Sequence, residues 1–302
     1  MKIGIVGANG FIGSALTAAV QKAGHSAVSF TRANPISGGD RYRPVSAGAD
    51  QNRVAGEDAT RAGAGDLDAV VWAATSSTSA TIAADPGTGE TELKEFEETC
   101  MALARGGDTR FILLSSGGTV YGHGHPPHRE DDALSPTNDY GKFKVRMEEV
   151  CRSIFPDSTI LRISNVYGPG QRARGGQGVL GHWMKALRNG GTPVIYGDPT
   201  VARDYVYIAD CACAIVAATE TPSASGQTIN IGSGEPTSLE ALAGVLSDVT
   251  GIDTAPQILE GRPYDNRSTW LATTRARDLL GWSATTPLTE GVRAMWEWRD
   301  ER

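Results

Sequence analysis

Lys2-Ile-Gly-Ile-Val6-Gly7-Ala8-Asn9-Gly10-Phe11-Ile12-Gly13 is the stretch whose reading decides the fold. Residues 3–6 form an apolar strand, and residues 11–23 follow as a helix stopped by Gly24. Between them the glycines recur at a fixed spacing. Gly7 permits a tight turn, Gly10 lets backbone approach a pyrophosphate, and Gly13 lets helix and strand pack closely. The helix start adds free N–H donors and the positive end of the dipole. A three-glycine pattern alone is weak, but its strand–loop–helix setting predicts dinucleotide binding. The cofactor contacts are then expected from Gly7, Asn9, Gly10, Phe11, Ile12 and Gly13.

Outward from this unit, further short apolar strands are expected at 27–31, 69–73, 110–114 and 158–163. Helices are expected at 92–105 and 137–154, the latter entered near Ser135-Pro136. Strands that are apolar throughout and alternate with helices indicate a parallel sheet covered on both faces. The fold class is α/β, a Rossmann-type doubly wound parallel sheet with a smaller C-terminal substrate-binding lobe. The Gly- and Ala-rich stretch 33–65 carries too weak a pattern to place elements.

The second half changes character. Residues 165–178 are loop-rich, followed by a helix at 179–188 and a strand at 193–196. Residues 206–219 begin as a strand and become an Ala-rich helix; a strand at 228–231, a helix at 238–250 and a helical region from Thr273 follow. With no linker, repeat or low-complexity segment, residues 1–165 are assigned to the dinucleotide-binding lobe, which also receives segments near 193–220. Residues 166–302 mainly form the substrate lobe.

Three further strand ends carry chemistry. The second strand closes on Ser29-Phe-Thr31-Arg32. An acidic residue there would bind a ribose 2′-hydroxyl, whereas a cation suits a 2′-phosphate, so NADP is favoured over NAD. A solvated Arg at a strand end is the plainer reading, and Glu57 and Asp58 are either an adenine-side cap or loop charge. Val71-Trp-Ala73-Ala74-Thr75 ends in small residues that leave room for a ribose–nicotinamide. Leu114-Ser-Ser116-Gly-Gly-Thr119-Val-Tyr-Gly122 brings hydroxyls to the carboxyl end of another strand.

Tyr140 and Lys144 lie one helical turn apart on the same face, so phenol and ammonium can meet over one substrate. A phenol alone is a poor acid or base at neutral pH, and a fixed cation beside it stabilises the phenolate. The hydroxyls of Ser116 and Thr119 are placed to hydrogen-bond a carbinol or ketone oxygen opposite Tyr140.

With 302 residues, 40% hydrophobic, and a formal net charge of −7, the chain can bury a large core but offers no nucleic-acid surface. Anionic ligands must be held by a few placed Arg residues. No apolar run is long enough to cross a bilayer, and a strand at the start leaves no room for a signal peptide. Cys100, Cys151, Cys211 and Cys213 show no Cys-x-x-Cys spacing and read as structural thiols in a reducing, cytoplasmic setting. His123, His125 and His128 lack a neighbouring carboxylate or thiol pattern, so a substrate-side loop is expected rather than a metal site. Trp183 and Tyr207 read as core before substrate contacts.

Taken together, these motifs resemble the extended short-chain dehydrogenase/reductases, specifically the NAD(P)-dependent epimerase/dehydratase family acting on nucleotide sugars. The resemblance rests on the Gly7/Gly10/Gly13 loop, Ser115 to Gly122, Tyr140/Lys144, Asn165-Val-Tyr-Gly-Pro-Gly-Gln171, Tyr196-Gly-Asp198, Arg203-Asp-Tyr-Val-Tyr-Ile208 and Asn230-Ile-Gly-Ser-Gly234. It implies that Tyr140 transfers the proton and that Lys144 binds the nicotinamide ribose. Asn165 and Arg203 would hold a substrate diphosphate, with Arg262 on phosphate and Asp265 on ribose. It also implies a homodimer through the helices at 92–105 and 137–154. Alignment on Val120-Tyr121-Gly122 puts Gly117 where the family usually has its catalytic Ser or Thr, so either Thr119 or Ser116 serves or that role is weakened; Thr119 is preferred if the strand stays extended. Gly118-Thr119 stands where dehydratases carry an acidic pair, which disfavours dehydration. The expectation is a C4 ketoreductase of a TDP- or UDP-keto-sugar using NADP, with a nucleotide-sugar 4-epimerase as the alternative. An NADP-sensing binding protein is the reading from another class.

Overall fold

A computed structural model describes residues 1–31, 43–45, 67–107, 109–122, 124–172, 178–261 and 268–298. Strand β1 (Lys2–Val6) leads through the glycine turn into helix α1 (Phe11–Lys22), and β2 (Ser26–Thr31) returns beside β1. β3 (Arg43–Val45) adds an antiparallel edge, followed by β4 (Ala69–Trp72), α2 (Ser79–Ala84), α3 (Gly87–Ala104) and β5 (Arg110–Ser116). Helix α4 (Asp139–Ile154), β6 (Thr159–Ile163) and a short β7 (Asn165–Tyr167) complete the first half.

The second half contributes α5 (Val179–Arg188), β8 (Val194–Tyr196), β9 (Ala202–Tyr207), α6 (Ile208–Glu220) and β10 (Thr228–Ile231). It ends with β11 (Pro236–Ser238), α7 (Leu239–Thr250), β12 (Gln257–Leu259), α8 (Thr274–Leu280) and α9 (Leu288–Glu297). The main sheet has seven strands in the order β10-β6-β5-β4-β1-β2-β3, parallel except for β3. Strand order reverses between β1 and β4, the switch point where such sheets open a ligand crevice at their carboxyl ends.

Period-2 alternation sends successive residues to opposite faces, and both faces are covered, which is why the strands read as continuous apolar runs. Ile3, Ile5, Val71, Ile112, Leu114 and Leu161 pack on one side with α1 and α6. Val70, Trp72, Phe111, Leu113 and Ile160 pack on the other with Phe96 of α3 and Phe143 and Met147 of α4. Arg110 ties the sheet to the end of α6, donating to the carbonyls of Ala218 at 3.2 Å and Thr221 at 2.7 Å. Such a cation complements the negative end of the helix dipole.

Of the stretch 193–220 expected to join the first lobe, α6 lies on the sheet, whereas β8 pairs with β12 outside it. The element that enters the main sheet from the second half is β10, beside β6. A separate core of Leu180, Trp183, Met184, Leu242, Leu246 and Val292 holds the second lobe together. Cys100, Cys151 and Cys211 are buried and unpaired. Among the described residues no helix is long and apolar enough to cross a membrane.

Candidate active site

The glycine turn is as crowded as its spacing implies. Gly7 has φ +91°, and a Cβ built there would lie 2.8 Å from the Ala74 backbone. At Gly13 a Cβ would stand 2.1 Å from the Gly7 carbonyl oxygen, so only glycine lets α1 abut the turn. The α1 N-terminus has no side-chain cap and no acidic residue in its first turn. It therefore keeps its donors and positive dipole end for an anion.

From this turn a cavity of about 680 Å³ runs across the carboxyl ends of the sheet into the second lobe. Phe11, Ile12, Ala73, Ala74 and Thr75 line its near end, Ser116, Thr119, Tyr140 and Lys144 its middle, and Asn165, Tyr196 and Arg203 its far end. Gly7, Gly10 and Gly13 shape the turn behind that wall, and Asn9 is exposed at its tip. Residues expected from four separate stretches are thus gathered around one space. Arg32, Arg262, Asp265, Glu57, Asp58 and His123 lie outside the described residues.

Asn138 caps α4 by accepting the Gly141 N–H at 2.8 Å, which places Tyr140 in the first turn and Lys144 one turn on. A Cβ at Gly141 would fall 2.6 Å from the Thr119 carbonyl oxygen, so this glycine lets the start of α4 press against the turn after β5. That turn differs from the extended geometry expected of it. Strand β5 ends at Ser116, and the chain folds back with the Thr119 and Val120 amides directed at the Ser116 carbonyl, at 3.4 and 3.3 Å. Thr119 still reaches the cavity, by the turn rather than by strand alternation. Among the described residues its buried Oγ1 has no hydrogen-bond partner, nor has Oγ of Ser164, just after β6. A buried hydroxyl without a partner costs stability unless a ligand completes it.

Gly117 does not line the cavity. A Cβ there would lie 2.6 Å from Cδ1 of Leu271, which fills the space where a side chain would sit. Gly117→Ser is expected to destabilise the protein by ~1–3 kcal/mol through overpacking, and Leu271→Ala in the same chain to recover part of that loss. Urea unfolding of the single and double variants tests this; an unchanged midpoint in the single variant would show that Leu271 moves aside freely.

Lys144 is the electrostatic centre of the site. It is 4% exposed, and among the described residues its Nζ reaches only the Met147 sulfur, at 3.8 Å. Burial pulls its pKa down to about 8, against the opposing fields of the Glu92 and Glu148 carboxylates. Nζ lies 5.8 Å from the centroid of the Tyr140 ring. Glu148 is itself bound by Arg162, with Nη2 to Oε2 at 2.8 Å, and by the Ser115 hydroxyl.

The family model described as "NAD dependent epimerase/dehydratase family" matches residues 3–232. The chain belongs to this family. A UDP-glucose 4-epimerase of Mycolicibacterium smegmatis is 35% identical over 191 residues, 62% of this chain and 61% of the relative. A dTDP-4-dehydro-6-deoxyglucose reductase of Escherichia coli is 35% identical over 194 residues, 63% of this chain and 61% of the relative. The chain thus spans about three fifths of the length of these curated relatives. The crystal structure of a UDP-glucuronic acid 4-epimerase from Bacillus cereus, in complex with UDP-glucuronic acid and NAD, superposes with a TM-score of 0.82. It is 26% identical, and the match covers 99% of this chain and 98% of that one.

Other expectations fare differently in this member of the epimerase/dehydratase family. His128 is fully buried and stacks on the Tyr121 ring with centroids 4.8 Å apart. His125 is exposed, and neither of these two histidines is on the described cavity wall. Trp183 is core, with its indole N–H bonded to the Val194 carbonyl at 2.9 Å, while its ring also forms cavity wall. Tyr207 packs edge-on against Tyr167 at 5.7 Å rather than facing the cavity.

Two site residues were not read from the sequence. Ser164 follows an apolar strand as an ordinary terminator. Glu92 reads as surface charge near the start of a helix, and its partners lie 15 and 16 residues away. The overlooked α2 did carry a local signal, a reciprocal Thr78/Thr81 capping box.

Proposed function

We propose that this chain is an NAD(P)-dependent nucleotide-sugar oxidoreductase working at a sugar carbinol or ketone, with C4 the position acted on. The observation that supports this best is the single cavity joining the glycine turn, the Tyr140/Lys144 pair and Arg203. The Gly7/Gly13 crowding and the uncapped α1 fit a dinucleotide pyrophosphate at one end. Arg203 and Asn165 fit a diphosphate at the other, and apart from Lys144 the only charged residues on the described wall are Arg203 and Asp198.

A bound nicotinamide supplies or accepts the hydride. Tyr140 moves the hydroxyl proton, its oxygen exchanging the proton with the sugar oxygen as the carbon changes oxidation state. Lys144 stabilises the phenolate by its charge. The buried Thr119 hydroxyl, with Ser116 beside it, donates to the same sugar oxygen and holds it in line. Arg203 and Asn165 fix the diphosphate, turning a bimolecular encounter into an oriented one. The apolar wall of Leu180, Trp183 and Ile195 excludes water from the sugar.

Reduction of a 4-keto sugar by NADPH remains the first reading, carried by the Ser29-Phe-Thr31-Arg32 strand end. Epimerisation is the second, favoured by the likeness to 4-epimerases. Purified protein is given UDP-galactose without added cofactor, and separately NADPH with a TDP-4-keto-6-deoxy sugar. NADPH loss in the second assay alone is expected; interconversion in the first supports epimerisation. Silence in both, with tight NADPH binding retained, sinks the enzyme reading and favours a cofactor-sensing protein.

A further inference from the structure

Glu92, on α3, is not itself on the described cavity wall but collects an unusual set of donors from the residues that follow Thr75. Its carboxylate accepts the Ser76 hydroxyl at 2.8 Å, the Ser77 hydroxyl at 2.7 Å, the Ser77 amide at 2.8 Å and the Ser76 amide at 3.1 Å. Ser76 and Ser77 follow Ala73, Ala74 and Thr75, the small residues lining the near end of the cavity. The carboxylate therefore clamps the end of β4 in place from behind. Burial works against the charge, but the Ser77, Ser76 and Thr75 bonds and the Lys144 field outweigh it, and Glu92 is held ionised below the usual carboxylate range.

Two carboxylates act on Lys144, and they differ in what else they face. Glu148, on α4, is neutralised by the bidentate Arg162 of β6 and also accepts from Ser115 of β5. Among the described residues, Glu92 is hydrogen-bonded only by neutral hydroxyls and amides. Its negative charge acts on Lys144, whose remaining neighbours on its own helix are the Tyr140 and Phe143 rings and the Met147 sulfur. A buried ammonium without a hydrogen-bonded anion needs such a field to stay charged.

We propose that Glu92 is a positioning residue for the Tyr140/Lys144 pair, clamping the 75–77 turn with one set of lone pairs while its charge keeps the Lys144 ammonium protonated at working pH. This rests on the reading of Tyr140 and Lys144 as the proton-transfer pair, but the charge coupling is measurable without turnover.

The chain has only six lysines, so protein labelled with ¹³C at lysine Cε gives few signals, and Lys144→Arg assigns the one required. In the parent the Lys144 midpoint is expected near pH 8. In Glu92→Gln it is expected to fall by about one unit, and Glu92→Asp, which keeps the charge, should restore most of it. Ser76→Ala with Ser77→Ala loosens the clamp but leaves the carboxylate, and should move the midpoint by much less. An unchanged midpoint in Glu92→Gln overturns the proposal, as does an equal shift in the double serine variant, which would make Glu92 a structural clamp alone. Where turnover is measurable, the alkaline limb of kcat/KM is expected to move down with the NMR midpoint. An NMR shift in a protein inactive on every sugar would leave the coupling standing and count against the oxidoreductase reading instead.

Discussion

Tyr140→Phe is expected to lower kcat by ~10²–10⁴-fold while leaving cofactor affinity within a factor of about two. The substitution removes only the oxygen. The ring keeps its place against Phe143, with centroids 6.3 Å apart, and the glycine turn that fits the cofactor is untouched. Steady-state rates with whichever of the two assay sugars turns over, and fluorescence titration with NADPH, separate the two effects. A variant that kept more than a tenth of kcat would move the proton to the Thr119 or Ser116 hydroxyl.

Lys144→Met is expected to be as damaging to the rate and, unlike Tyr140→Phe, to change how stability depends on pH. A lysine whose folded pKa is about 8, against a reference of 10.5, binds fewer protons folded than unfolded between those two values. Stability therefore rises with pH across that window, because the unfolded chain must release the proton that the folded chain has already lost. Below about pH 8 both states are charged, and the folded state carries the full burial cost. The parent should gain about 3 kcal/mol relative to Lys144→Met between pH 8 and 10.5. Urea unfolding of both proteins at several pH values reads the difference, in which other titrating groups cancel. Parallel curves would mean that Lys144 is solvated in the folded protein.

The parts of the site legible in sequence were those whose chemistry is local. The glycine turn needs three glycines within seven residues, and Tyr140 and Lys144 share one helix face through a fixed four-residue spacing. Asn165 and Arg203 came from the family resemblance, and the structure brings both to the far end of the same cavity. Thr119 was reached by the wrong route. The expectation rests on an extended strand, whereas the strand ends at Ser116 and the chain folds back in a turn that no alternation rule describes. Gly117 itself was legible only as a departure from the family, and Leu271, distant in sequence, supplies its physical meaning.

The sequence by itself determined the doubly wound sheet, because continuous apolar strand runs and 3.6-residue helical patterns are set by neighbours a few residues apart. It also determined the glycine turn and the Tyr140/Lys144 turn of α4. Tertiary structure alone decided which charges act on that pair. Glu92 and Lys144 lie on different helices, Arg162 neutralises Glu148 from β6, and Ser76 and Ser77 reach Glu92 across a chain reversal. Electrostatic coupling depends on distance and burial in three dimensions, and neither is written in the spacing of residues along the chain.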